Sequence, residues 1–336
     1  MTNGWQVQIE RLRPFSFHRF WQISLLLGTA ITLTMPLASC SNSPENETSG
    51  SDAAAEITTN RNSDSTIQVG VLVIRDIEST RQQYEPILNY LSEQIGRPFL
   101  LVPLAQESQF LEVEQGKVDF LISNPLASVQ VQRLYDTELI ATQSLPDTGT
   151  EFAGQIIVRS DSDINNVADL AGKKGACVSL ETAAGGCLFQ VLHVQQSGVN
   201  PFLDFDSLME VPSQNDIVLK VVNGDIDFGF IRTGQLESMV AKNLLSDAEQ
   251  VRVLDPKQDE GFIYTHTTRL YPTWPVSATG NVSPELVESV KQALLNMPAD
   301  SPALTAAGIE SFVPAVDYTA INQLVEELRL RSWDTQ

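Results

Sequence analysis

Ile67-Gln68-Val69-Gly70-Val71-Leu72-Val73-Ile74 is a nearly unbroken Val/Ile-rich run, the pattern of a strand covered on both faces in a parallel sheet. Tyr84, Ile87, Leu88, Leu91 and Ile95 then recur at helical spacing and stop at Gly96, a helix end with its C-terminal glycine. Phe99 to Leu104 reads as the second strand, Glu107 to Gln115 as a helix and Val118 to Ile122 as the third strand. Ser123-Asn124-Pro125 opens a further helix, with Pro125 at its first position. Repetition of strand, helix and strand predicts an α/β fold with parallel pairing and right-handed crossovers.

The pattern restarts after Phe152. Gln155 to Arg159, Gly175 to Val178, Leu208 to Val211 and Ile226 to Ile231 read as strands; Val167 to Gly172, Ala183 to Ser197, Ile217 to Asn223 and Gly234 to Asn243 read as helical. Val251 to Leu254 is a return strand, and Pro284 to Leu295, Ala303 to Ala307 and Tyr318 to Leu330 are helical. Two similar lobes are therefore expected: residues 66–158 as the first part of lobe one, 159–255 as lobe two, and 256–336 as a return segment with C-terminal helices completing lobe one. Mixed, mostly parallel sheets are expected, with a ligand cleft between the lobes where strand ends and helix starts converge.

Two glycine-acid echoes mark the duplication. Gln115-Gly116-Lys117-Val118-Asp119-Phe120 and Asn223-Gly224-Asp225-Ile226-Asp227-Phe228 each place a Gly after a helix and an acid at the start of a strand. The strands then run into Ser123-Asn124-Pro125 in one case and Arg232-Thr233-Gly234 in the other.

The N-terminal segment sets the compartment. Arg11, Arg13 and Arg19 precede an apolar stretch from Ile23 to Met35 and the small residues before Cys40, the three parts of a secretory signal. The stretch is too short to span a hydrocarbon layer of about 30 Å. Leu37-Ala38-Ser39-Cys40 resembles the lipobox of bacterial lipoproteins, which implies a signal over 1–39 and lipidation of Cys40. Ser41 to Ser65, almost all small and polar, reads as a flexible tether over 40–65. The chain carries a formal charge of −21, and loss of residues 1–39, with three Arg and one Glu, leaves −23. So acidic a body does not suit nucleic acid. It also makes any anion site a local exception, built from one or two Arg side chains and helix N-termini. Cys177 and Cys187 remain in an oxidising compartment, either paired in a disulfide or as two small buried residues.

Six markers in order resemble the phosphate, phosphite and phosphonate-binding proteins of ABC transporters: Tyr84-Glu85-Pro86 with Leu91 and Gly96, Gly116 to Asp119, Asn124-Pro125, Ile156 to Ser162, Asp169 to Lys174 and Gly224 to Asp227. That resemblance, over about Ile67 to Leu330, implies the type II periplasmic binding protein fold and a small anionic ligand. Phe230 to Glu237, Thr268 to Pro275, Ala293 to Pro298 and Pro314 to Tyr318 are similar to the extracytoplasmic input domains of tetrathionate-type sensor histidine kinases. Since no kinase follows, a free-standing form of that domain is expected. The family's Ser-Thr-Ser-Gly-Tyr anion loop appears here as Ala183-Ala184-Gly185-Gly186-Cys187, with only Thr182 as a nearby hydroxyl. Ser128 replaces an aromatic, and the family's Ser-His-Asp stretch is Gln214-Asn215-Asp216.

The candidate ligand contacts are Arg75, Ser123, Asn124, Thr182, Gly185, Gly186, Asn215, Arg232 and Thr233. Arg232 either offers a planar fork to an oxyanion or pairs with an acid across its lobe. Asn124 and Thr182 either donate to ligand or serve as N-caps. Trp274 and Tyr271 either wall the cleft or pack as a return segment. Three His residues in all, no nucleophile elbow and no metal-ligand spacing argue against an enzyme, and no cofactor is expected. The resulting expectation is a monomeric, lipid-anchored extracytoplasmic solute-binding protein on the bacterial membrane, in the periplasm or at the cell surface. It would capture a small anion for an ABC permease. The alternative is a ligand-sensing module for a two-component sensor kinase.

Overall fold

A computed structural model of the chain describes residues 66–330; Cys40, the expected signal and the whole of the tether lie outside them. The first strand β1 (Ile67–Leu72) leads into helix α1 (Ile77–Ile95), β2 (Phe99–Leu104), α2 (Gln109–Glu114), β3 (Phe120–Ile122), α3 (Pro125–Tyr135) and β4 (Glu138–Ser144). Next come β5 (Glu151–Phe152), β6 (Gly154–Arg159), β7 (Lys174–Cys177), α4 (Phe189–Gln196), β8 (Ser207–Glu210), α5 (Gln214–Asn223), β9 (Phe228–Arg232), α6 (Gln235–Ala241) and β10 (Val251–Val253). The return comprises β11 (Tyr271–Pro272), β12 (Pro275–Ala278), α7 (Pro284–Leu295), α8 (Pro302–Ala307), β13 (Ser311–Pro314) and α9 (Thr319–Leu328).

Two sheets carry the two lobes, and β6 lies in the second, so the chain crosses before Gly154 and not at the expected boundary after residue 158. The first has the order β13-β4-β12-β3-β1-β2 and the second β10-β6-β9-β7-β8. Both are mixed, as expected, but parallel pairing does not predominate: it is confined to β2-β1-β3 and β8-β7-β9. The other ladders, formed by β4, β6, β10, β12 and β13, are antiparallel. Three of these strands escape a periodicity reading. Pro275 opens β12 and Pro314 closes β13, and Pro reads as a strand breaker unless it sits at an end. In β4, Thr142, Gln143 and Ser144 are buried polar residues. Their partners are distant in sequence, such as the Tyr318 hydroxyl 3.0 Å from Thr142 Oγ1.

The helix ends follow local chemistry. Asp76 caps α1 by accepting from Ser79 N at 2.7 Å, so the helix starts seven residues ahead of Tyr84, where the apolar spacing begins. The two echoes prove to be the same device. Asp119 accepts from Gln68 N and Asp227 from Lys174 N, at 2.8 and 2.7 Å, and each acid's own amide donates back to the same residue at 2.8 Å. Each acid thus clamps the start of the neighbouring parallel strand. Gly116 and Gly224 turn the chain into it at φ 64° and 76°, where other residues are strained.

Helices α7 and α8 join α1 in the lobe-one core. Helix α9 does more than complete that lobe: Ile321, Leu324 and Val325 share a core with Val129 of α3 and Phe189 of α4. Glu326 pairs with Arg133 of α3 at 3.1 Å, and Glu327 accepts from Gln196 of α4 at 3.0 Å. The last helix therefore straps the two lobes on one side.

Candidate functional site

The carboxyl ends of β1 and β9 face each other across a cleft with two continuous parts. A small hollow of about 130 Å³ lies between the start of α1 and helix α6. It opens past Arg75, Arg232 and Trp274 into a larger hollow of about 820 Å³ between Pro103–Ser108 and the Val178–Gly186 segment.

Arg232 reaches the cleft because it is the last residue of β9, where a strand buried along its length meets the gap between lobes. Its amide donates to Gln214 Oε1 at 2.9 Å, and its guanidinium makes a single bond, to Thr233 O at 2.9 Å. Arg75 approaches from lobe one just past β1, and Lys242 from the end of α6. Lys242 Nζ donates to Ser238 Oγ at 3.0 Å. No carboxylate lines the small hollow. Among the described residues, none of these three cations forms an ion pair, although Glu237 on α6 acts on Arg232 from a distance. Burial is the first cause that holds the Arg232 guanidinium below the usual arginine range, and the positive charge of Arg75 adds to it. Burial, then Arg75 and Arg232, depress the Lys242 ammonium in the same way. Three positive charges thus crowd one hollow of a protein whose net charge is −21, and that arrangement stabilises a bound anion.

Arg75, Asn124, Gly185, Gly186, Asn215 and Arg232 all line the cleft. The other three sequence candidates do not. Ser123 is fully buried and donates to Gln109 Oε1 at 2.5 Å. The Thr182 hydroxyl, also buried, lies 3.3 Å from Ser179 Oγ. Thr233 exchanges its amide and hydroxyl with Ala153 at 2.9 and 3.1 Å. All three are small polar residues beside a turn, and each hydroxyl is taken up by a partner within the protein: the Gln109 side chain, the Ser179 hydroxyl and the Ala153 amide. Asn124 lines the cleft and bonds within the protein through both side-chain polar atoms: Oδ1 caps α3 by accepting from Ala127 N at 3.0 Å, and Nδ2 donates to Thr182 O at 3.1 Å.

The glycine turn differs from the expected helix start. Residues Ala184–Leu188 wind as a wide π-type turn before α4 begins at Phe189. The glycines serve packing: a Cβ on Gly185 would stand 2.7 Å from the Phe152 ring, and one on Gly186 2.9 Å from Gln214 and Val178. Cys177 and Cys187 are bonded, with Cα atoms 4.9 Å apart, so the turn is tied to β7. Of the two aromatics, Trp274 walls both parts of the cleft, whereas Tyr271 stacks on Phe189 at 3.7 Å and its burial pushes the phenol up to about 12.

Lys242 and Gln214 were not legible as site residues. One signal was present for Lys242: with Arg232 it is one of only two cations between Lys220 and Arg252, and together they bracket α6.

Comparison with known proteins gives the family. Residues 69–319 match the family model of the phosphonate ABC transporter periplasmic substrate-binding protein. The tetrathionate sensor histidine kinase of Salmonella typhimurium is 27% identical over 239 residues, covering 70% of this chain and only 40% of the kinase. Among solved structures, a binding-protein component of an ABC phosphonate transporter from Pseudomonas aeruginosa superposes with a TM-score of 0.66 at 18% identity, over 80% of this chain and 88% of its own. PhnD1 from Prochlorococcus marinus, in complex with methylphosphonate, gives 0.65 at 15% identity, over 79% and 98%. With its two mixed sheets, its strand-end cleft and the family match over most of its length, the chain belongs to the phosphonate-type periplasmic substrate-binding proteins of ABC transporters.

Proposed function

We propose that this protein captures a small anion between its lobes and presents it, lobes closed, to an ABC permease. The observation that carries the reading is the convergence of Arg75, Arg232 and Lys242 on a hollow with no carboxylate in its lining. Arg75 belongs to lobe one; Arg232 and Lys242 belong to lobe two. In the empty cleft these like charges repel across the gap and favour separation. An anion cancels that repulsion and binds both sides, so it has higher affinity for the closed state and shifts the equilibrium toward it. Asn124, Asn215 and the Gly185-Gly186 turn complete the cleft wall around the ligand. In this reading Cys40 carries the lipid that holds the body at the extracytoplasmic face of the membrane, and the protein acts as a monomer.

A charge-assisted hydrogen bond to a buried anion contributes about 1.5 to 3 kcal/mol. Arg232→Ala is therefore expected to weaken binding roughly tenfold to a hundredfold, with Arg232→Lys recovering only part because the ammonium lacks the planar fork. Titration calorimetry on folded variants, after a thermal-shift screen of phosphate, phosphite, phosphonates, sulfur oxyanions and small carboxylates, reads the effect. Unchanged affinity in Arg232→Ala would return that side chain to the scaffold.

The 27% identity to a sensor kinase over 239 residues supports a second reading, in which the closed form docks on a signalling partner rather than a permease. Pull-down of the ligand-loaded protein with the permease, and separately with the extracytoplasmic part of a sensor kinase, separates the two.

A further inference from the structure

Arg232 enters the cleft from a peptide unit that is held at both ends. The carbonyl of the Ile231–Arg232 peptide accepts from Gln190 Nε2 at 2.7 Å, and its N–H donates to Gln214 Oε1 at 2.9 Å. The two groups of a trans peptide point in opposite directions. Two glutamine amides, one from α4 and one from α5, therefore fix this peptide plane from both sides. The same amides reach the glycine turn. Gln190 Nε2 also donates to Gly185 O at 2.7 Å and to Gln155 O of β6 at 3.2 Å, while Gln214 Nε2 stands 2.9 Å from where a Cβ on Gly186 would be. One nitrogen with two hydrogens thus serves three carbonyls, a task for a donor that a carboxylate of the same shape cannot perform.

Gln190 does not line the cleft. It is fully buried, and its Oε1 has no hydrogen-bond partner among the described residues. A buried amide with an orphaned oxygen lowers stability, and an apolar side chain of the same length would fill the space without that cost. The surroundings nonetheless make room for the amide: a Cβ on Gly154 would stand 2.6 Å from both Cδ and Nε2 of Gln190. Local choices that lower stability concentrate at functional places. We propose that Gln190 is a positioning residue for the anion site, tying the glycine turn to the Ile231–Arg232 peptide so that Arg232 and the Gly185-Gly186 wall form one preset half of the cleft. This rests on the anion reading above and adds a residue that touches no ligand. Ordering the half-site before the anion arrives raises affinity, because binding then does not have to supply that order.

Two substitutions test it by different routes. Gln190→Met keeps the volume and removes the donor, whereas Gly154→Ala displaces the amide without altering it. Calorimetry on the whole native protein with methylphosphonate, methanesulfonate, phosphate, sulfate and acetate selects the anion that binds most tightly, and the variants are titrated with that one. Each single variant is expected to bind it about tenfold more weakly, and the two combined no more weakly than Gln190→Met alone. In an Arg232→Ala background Gln190→Met should lose most of its effect, which a role confined to stability would not produce. Without ligand, hydrogen exchange should quicken in residues 183–188 and at Arg232 and Thr233, with the lobe-one loop at 116–125 unchanged. Native affinity in folded Gln190→Met, or the same fold-loss with and without Arg232, overturns the inference and leaves the anion reading intact; if Gln190→Met does not fold, Gly154→Ala decides by the same criteria. Failure of every anion to bind the native protein overturns the anion reading itself, and the inference with it.

Discussion

The segments 116–125 and 224–234 are one loop built twice, and they come to different uses. Both begin with a glycine in the left-handed region and an aspartate that clamps the adjacent strand. They part at the end of the strand. In lobe one, Ser123 and Asn124 spend their side chains on Gln109, on the cap of α3 and on Thr182 O. In lobe two the equivalent place holds Arg232, whose guanidinium makes one bond to the backbone next to it and otherwise faces the hollow. A duplicated scaffold repeats the groups that hold it together. The proposed site lies where the copy leaves a charged group without an ion pair, because a cation without a carboxylate costs stability unless an anion arrives.

The lobes also differ in covalent support, and this gives the largest expected effect on stability. The disulfide of lobe two closes a loop with a sequence separation of 10, which by chain entropy contributes about 3 kcal/mol. Cys177→Ala with Cys187→Ala is expected to lower the denaturation midpoint accordingly. Hydrogen exchange should quicken first in Val178–Leu188 and not in the lobe-one loop at 116–125. Equal loosening of both lobes would show that the disulfide supports the whole body and not the cleft turn.

The two aspartates sharpen the comparison at the next level. Asp119 is 7% exposed, while Asp227 is exposed to solvent. Loss of a buried acceptor leaves the Gln68 amide without its partner, so Asp119→Ala is expected to cost about 2 kcal/mol. Asp227→Ala, where water replaces the carboxylate at Lys174 N, should cost less than about 1 kcal/mol. Chemical denaturation of both variants decides it, and equal costs would break the burial argument.

The smallest effect is one of pH and also belongs to one lobe, since residues 66–144 contain no histidine. Burial, then the charge of Lys257, hold the His193 imidazole below its usual value, against the opposing pull of Asp255 2.9 Å away. The unfolded chain then takes up that proton more readily than the folded one. The contribution of His193 is therefore complete above pH about 6.5 and is lost as pH falls through that value. Thermal unfolding between pH 7.5 and 5.5 should decline in the native protein, and His193→Gln should flatten part of that decline.

Local physics made the parallel core of each lobe legible. A Val/Ile run, a helix with apolar 3.6 spacing and a glycine stop are all short-range signals, and they placed β1, α1, β2 and β3 and their counterparts in lobe two. The same signals found Arg232 at a strand end and Cys177 near Cys187. They could not find β4, β12 and β13, whose buried polar residues and prolines are compensated only by partners far along the chain. Nor could they tell a hydroxyl that lines the cleft from one that the fold bonds to a partner within the protein, as it does those of Ser123, Thr182 and Thr233. The sequence by itself determined the α/β class, the duplication, the acidic body and the family resemblance, because each is carried by composition or by order along the chain. Only the tertiary structure decided which charges share a hollow. Arg75, Arg232 and Lys242 come from three separate elements, and the repulsion among them, on which the proposed anion site rests, depends on distances through space, which no spacing in sequence encodes.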